Sequence, residues 1–216
     1  MKKKILLIFF IVLIVIFLIF FINKKDNINE LVNNTIENTD EYKITLTLKN
    51  IYYIENKKIN NKIVYVEQKK NDKYKFINKI FDNDTLINES IYYLDGNKYY
   101  YKEKNSYKEK IIDDVKNVKN FNINYTDFFK KIKNMRISKT IDDKIYYKSK
   151  MKSEDAFSLI YDNSKNDNLE EYTYVTIVAS NNDIEEVYFN VKDKENSYYV
   201  NLKMDFGLQE LNLDIK

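Results

Sequence analysis

The chain has 216 residues, 44% hydrophobic and 15% aromatic, with no Cys, His, Pro or Trp and a formal net charge of +3. The aromatic content excludes a disordered chain. The absences exclude disulfides, thiolate or imidazole catalysis and the commonest zinc ligands. Lys, Asn, Ile and Tyr abound. All four have AT-rich codons, so their abundance is read as mutational bias, and no lone Lys, Asn or Tyr is taken as selected.

Ile5 to Ile22 form an unbroken run of 18 apolar residues flanked by Lys2, Lys3, Lys4, Lys24 and Lys25. As a helix it spans about 27 Å, close to a bilayer's hydrocarbon core of roughly 30 Å. A cleaved signal peptide is the competing reading, but the apolar run is long for one and no small-residue cleavage site follows. The first Ala is Ala156, and a lipobox needs a Cys. Residues 5–22 are therefore expected to be an uncleaved transmembrane signal-anchor. Positive charge favours residues 1–4 as a cytoplasmic tip and an extracytoplasmic position for the rest, at the cell membrane. Without the five flanking lysines, 31 basic residues face 33 acidic ones. The remainder is near neutral and carries no footprint for nucleic acid.

Residues 23–40 are polar and Asn-rich and read as a stalk. From Tyr42 the period becomes two: Tyr42, Ile44, Leu46 and Leu48 alternate with polar residues, the mark of a half-buried strand. Lys62–Lys69 and Asp72–Asn78 read as the next strands. Asp95-Gly96-Asn97 sits between Tyr-rich strands as a hairpin turn. That hairpin puts Tyr92, Leu94, Tyr99 and Tyr101 on one face and Ile91, Tyr93 and Tyr100 on the other. Further on, Thr126 to Met135 reads as an amphipathic helix with Phe128, Phe129, Ile132 and Met135 on one stripe. Ile137 and Asp143–Met151 return to strands, and Ser153-Glu154-Asp155 opens a second helix. Tyr172–Val178, Val187–Val191, Tyr198–Phe206 and Leu211–Ile215 complete an antiparallel meander.

The acidic pairs Asp113-Asp114, Asp142-Asp143, Glu170-Glu171 and Glu185-Glu186 lack metal-loop spacing, and neighbours on a strand point to opposite faces. They read as solvated surface. No metal site, cofactor or enzymatic activity is expected.

The segment IYYLDGNKYYYKEKNSYKE (residues 91–109) resembles a hairpin of the LolA/LppX-like extracytoplasmic lipoprotein carriers, with Tyr107 where those usually have Trp. The spacing of Ile184, Val187 and Phe189, then of Tyr198, Leu202, Met204 and Phe206, is also similar. The resemblance implies an α+β fold for residues 41–216: a strongly curved antiparallel sheet, an incomplete barrel, with two or three short helices inserted mid-chain. It further implies a concavity for a lipid or other apolar ligand, lined by Tyr92, Leu94, Tyr99, Tyr101, Phe128, Phe129, Ile132 and Met135. Ordinary packing is the favoured reading of the same residues taken by themselves. An envelope protein-protein interaction module with a packed core remains the other reading.

Overall fold

The computed structural model describes residues 41–103, 106–113, 133–157, 168–180, 183–206 and 211. Residues 1–40, including the expected anchor and stalk, and residues 114–132 lie outside them. Among the described residues no helix is long and apolar enough to cross a membrane.

Among the described residues eleven strands form one antiparallel sheet that is unclosed. The first six are β1 (Glu41–Ile54), β2 (Lys57–Lys70), β3 (Lys73–Asp82), β4 (Thr85–Asp95), β5 (Lys98–Glu103) and β6 (Ser106–Ile111). Next come β7 (Lys133–Ile141), β8 (Lys144–Lys152) and the short helix α1 (Ser153–Phe157). β9 (Tyr172–Ala179), β10 (Ile184–Lys192) and β11 (Asn196–Phe206) follow. The spatial order is β6-β5-β4-β3-β2-β1-β11-β10-β9-β8-β7. Two meanders, β1–β6 and β7–β11, are thus joined where β1 pairs with β11, from Tyr42↔Phe206 to Tyr52↔Asn196.

Glycine is nearly absent, so other residues make the tight turns. Glu55-Asn56 and Asn83-Asp84 both have positive φ at each position, as type I′ hairpins require. Asn71 and Asp142 are also left-handed, where Asn and Asp cost less than most residues. At Gly96 φ is +60°, and the register Asp95↔Lys98 makes Gly96-Asn97 the two-residue loop. The β10–β11 turn works differently. The Asp193 carboxylate accepts the backbone N–H groups of Glu195 at 2.8 Å and Asn196 at 2.6 Å.

Strand registry stacks the alternating apolar positions into rows. One row runs Ser90, Asn78, Tyr65, Leu46, Leu202, Val187, Ile177, Tyr147, Ile137 across nine strands. From Tyr65 to Tyr147 every member is buried. The opposite face carries lysines and exposed tyrosines and is the outer one. Bulges at Ile80/Phe81, Ile184/Glu186 and twice in β7 interrupt the ladders. Such interruptions increase local twist and bend a sheet. α1 packs on the inner face, with Ala156 and Phe157 in the core and the Phe157 ring 5.2 Å from that of Tyr198.

Several expectations change. One helix is found among the described residues, and most of the expected helix Thr126–Met135 lies outside them. The expected helix Thr126–Met135 is corrected at its C-terminal end. Residues 133–135 open β7, where Lys133 pairs with Lys150, and Met135 and Ile137 alternate toward the core. Pairing with β8 outweighs the helical spacing there. Leu211 is not in a strand, and the rest of the expected last strand is outside the described residues.

Leu202→Ala removes a side chain with no exposed surface beside the β1–β11 pairing. It is expected to cost about 3 kcal/mol, read as a lower urea midpoint. Gly96→Ala meets no atom within 4 Å, so only its left-handed backbone resists. That variant is expected to lose about 1 kcal/mol in the same assay.

Candidate functional site

The inner face of β2–β5 carries a continuous ladder of rings. Tyr65 and Phe76 have centroids 6.5 Å apart, Tyr74 and Phe76 5.7 Å, and Phe76 and Tyr92 5.1 Å. Tyr92 meets Tyr99 edge-on at 5.7 Å, and Tyr99 stacks on Tyr101 at 5.6 Å. These spacings lie in the range where aromatic pairs attract beyond simple burial. Accessibility rises along the ladder: Phe76 has no exposed surface, Tyr99 is half-buried, and Tyr101 is 36% exposed.

The facing expected from the hairpin is the one observed. Tyr92 pairs with Tyr101 and Leu94 with Tyr99 on the inner face, while Tyr93 and Tyr100 pair on the outer. Tyr92 and Leu94 are buried. Tyr93 is buried as well, because Tyr107 of β6 lies 5.5 Å from its ring and Lys75 sits over it. Met135 is half-buried against the same core from the far end of the sheet, in β7. Tyr92, Leu94, Tyr99 and Tyr101 therefore come together, and Met135 stands apart from them. Phe128, Phe129 and Ile132 lie outside the described residues.

Sequence reasoning missed the polar part of this face. Glu67 lies in the row Tyr101, Tyr92, Phe76, Glu67, Ile44, Met204 and is 4% exposed. Its carboxyl group accepts the Tyr42 hydroxyl at 2.5 Å and the Tyr65 hydroxyl at 3.3 Å. A buried carboxyl group needs such donors. The available signal was parity: Glu67 shares the face of Ile63 and Tyr65 within KIVYVEQK. Asn78, beside Tyr65 in the row above, buries a side-chain oxygen for which no hydrogen-bond partner occurs among the described residues.

Burial pushes the Tyr99 phenol above its ordinary pKa, and the neighbouring Tyr101 adds to the shift. Burial alone does the same for Tyr147. Among the described residues no three acidic side chains cluster as metal ligands would.

No protein-family model matches the chain, and no curated protein matches it. Among solved structures it is similar to LprF from Mycobacterium bovis, with a TM-score of 0.46 and 8% identity over 86% of this chain and 94% of that one. It is also similar to the lipoprotein LppX from Mycobacterium tuberculosis, with a TM-score of 0.43 and 8% identity over 85% and 96%. The likeness concerns the fold alone.

Two outcomes test the site's physical chemistry. Glu67→Ala leaves two phenols without their acceptor and is expected to cost about 2–3 kcal/mol in chemical denaturation. Tyr147, with a raised folded-state pKa, holds its proton in the native chain after the unfolded chain begins to lose it. Its contribution is full below about pH 10 and is lost as pH rises through the folded-state value. A series of Tm measurements from pH 8 to roughly 11.5 should fall less steeply for Tyr147→Phe than for the parent.

Proposed function

We propose that this chain is a membrane-anchored, extracytoplasmic binding protein that holds a lipid or other apolar ligand against the concave face of its sheet. In this reading residues 1–4 are a cytoplasmic tip, 5–22 the anchor, 23–40 a stalk and 41–216 the binding domain. Tyr92, Leu94, Tyr99 and Tyr101 supply the ligand surface, joined by Phe128, Phe129, Ile132 and Met135. No catalytic step is assigned.

The observation that carries the reading is the gradient along the ring ladder. Ring contacts continue from the buried Phe76 through Tyr92 and Tyr99 to the accessible Tyr101. A face that served packing alone gains nothing from ending on an exposed ring. An acyl chain lying along it gains apolar contact at every step.

The test uses the full chain purified in mild detergent. Co-purified lipid and saturable uptake of a fluorescent fatty acid are expected. Tyr99→Ala and Tyr101→Ala should each weaken uptake about tenfold, the loss of one aromatic contact. A chain that folds, carries no lipid and takes up no probe would sink the proposal.

A second reading has one observation in its favour: the sheet is unclosed, so β6 and β7 present free edges among the described residues. An envelope protein could add a strand there. Ser138, the extra residue of a β7 bulge, accepts Pro at little structural cost. Loss of a partner in pull-down with Ser138→Pro, alongside unchanged lipid uptake, would favour this second reading.

A further inference from the structure

Lysine is abundant on the described strands, and alternation sends most of it outward. Inner-facing strand positions hold it at Lys57, Lys69, Lys108 and Lys110 alone. Lys57 belongs to the tip of the β1–β2 hairpin, where it pairs with Ile54. The other three border the ring ladder. Lys69 lies 5.9 Å from the Tyr74 centroid. Lys108 stands directly opposite Tyr101, and Lys110 opposite Tyr99, at the accessible end of the ladder. Both are exposed. Among the described residues neither forms an ion pair. Glu109, between them, points to the outer face, where it pairs with Lys98 at 3.4 Å.

Composition alone does not produce this placement, because a lysine-rich chain with random facing would fill both faces alike. Guarding of a sheet edge is the stronger competitor, since β6 is an outermost strand. The other outermost strand, β7, shows what guarding alone looks like. There Lys133 and Arg136 pair with the outward Lys150 and Lys148, and Lys139 lies 4.4 Å from the Tyr146 centroid, also on the outer face. The basic residues of β7 point away from the core, whereas those of β6 stand beside accessible rings.

We infer that the inner face takes an amphiphile with an anionic head. Its carboxylate or phosphate oxygens meet Lys108 and Lys110, and its apolar tail lies on Tyr101 and Tyr99. The inference rests on the lipid-binding reading above and adds the charge of the ligand. Beside an apolar wall an ion pair is stronger than in open water, and the tail contributes burial against the rings. A neutral ester or alcohol gains the same tail contact and nothing from the ammonium groups. The buried Glu67 does not oppose the head: it is on β2, four strand spacings or about 19 Å across the sheet from β6. Glu103 shares the face at the far end of β5, opposite Ser106.

The test uses the full chain in mild detergent with a fluorescent hexadecanoic acid, its methyl ester and a lysophosphatidic acid as competitor. The acid should bind about tenfold more tightly than the ester, two modest ion pairs' worth. That preference should shrink at roughly 0.5 M salt. Lys108→Gln/Lys110→Gln should lose it, with ester binding and the urea midpoint unchanged. Lys73→Gln/Lys98→Gln, on the outer face, should keep it. Competition by the lysophosphatidic acid tells whether phosphate is accepted as well as carboxylate; the inference holds with either, provided that one anionic probe outbinds the ester. Equal affinity for all three would overturn it and leave lipid binding intact, whereas uptake of none rejects both readings. A Lys108→Gln/Lys110→Gln chain that self-associates with its acid preference unchanged would assign the lysines to edge guarding and likewise overturn the inference.

Discussion

The structure depends on one alternation held in register across nine strands. A strand's side chains face alternate sides, so a slip of one residue would turn Leu46, Leu202 and Val187 outward and bring Thr45, Lys203 and Glu186 inward. Each row therefore constrains all the others. The chain contains no disulfide that could fix the register independently. Turns and hydrophobic rows must do it together: left-handed Asn, Asp, Glu and Gly positions set several of the hairpins, and the rows reject the alternatives.

The same alternation separates two chemistries. Rings, aliphatic groups and a few polar side chains, Glu67 and Asn78 among them, occupy the inner face, while lysines and exposed tyrosines occupy the outer. Glu67 shows how finely the division is drawn. It lies in the middle of an apolar row and is accommodated because Tyr42 and Tyr65 stand on the same face within reach. Replacing the whole trio by apolar residues could be tolerated, whereas replacing the acid alone removes an acceptor from two hydroxyls.

Much of this was legible in sequence because period two is a strong signal wherever a strand is covered on one side. The C-terminal meander and the 91–102 hairpin were readable for that reason, including the facing of Tyr92 and Tyr101. Registry was not readable. Nothing local in KIVYVEQK or DKYKFIN says that Tyr65, Phe76 and Tyr92 come side by side, so the extent of the ring ladder and its buried acid emerged only from strand pairing. Met135 failed for a different reason. Its spacing from Phe128, Phe129 and Ile132 suits a helix, but its spacing from Ile137 suits a strand, and a partner strand at Lys144–Lys152 decides between them. Short apolar patterns are ambiguous in this way.

The pairing of the first strand with the last also shapes how the chain must be made. β1 is complete at Ile54, but its partner on one side begins at Asn196. At ordinary synthesis rates the interval is roughly ten to thirty seconds. Throughout it, β1 would present an unsatisfied edge with Ile44, Leu46 and Leu48 beside it. Such long-range closure is slow, and it leaves the nascent chain open to association with other chains. The first meander is therefore the stretch on which a holding chaperone would act, and release would follow the arrival of β11.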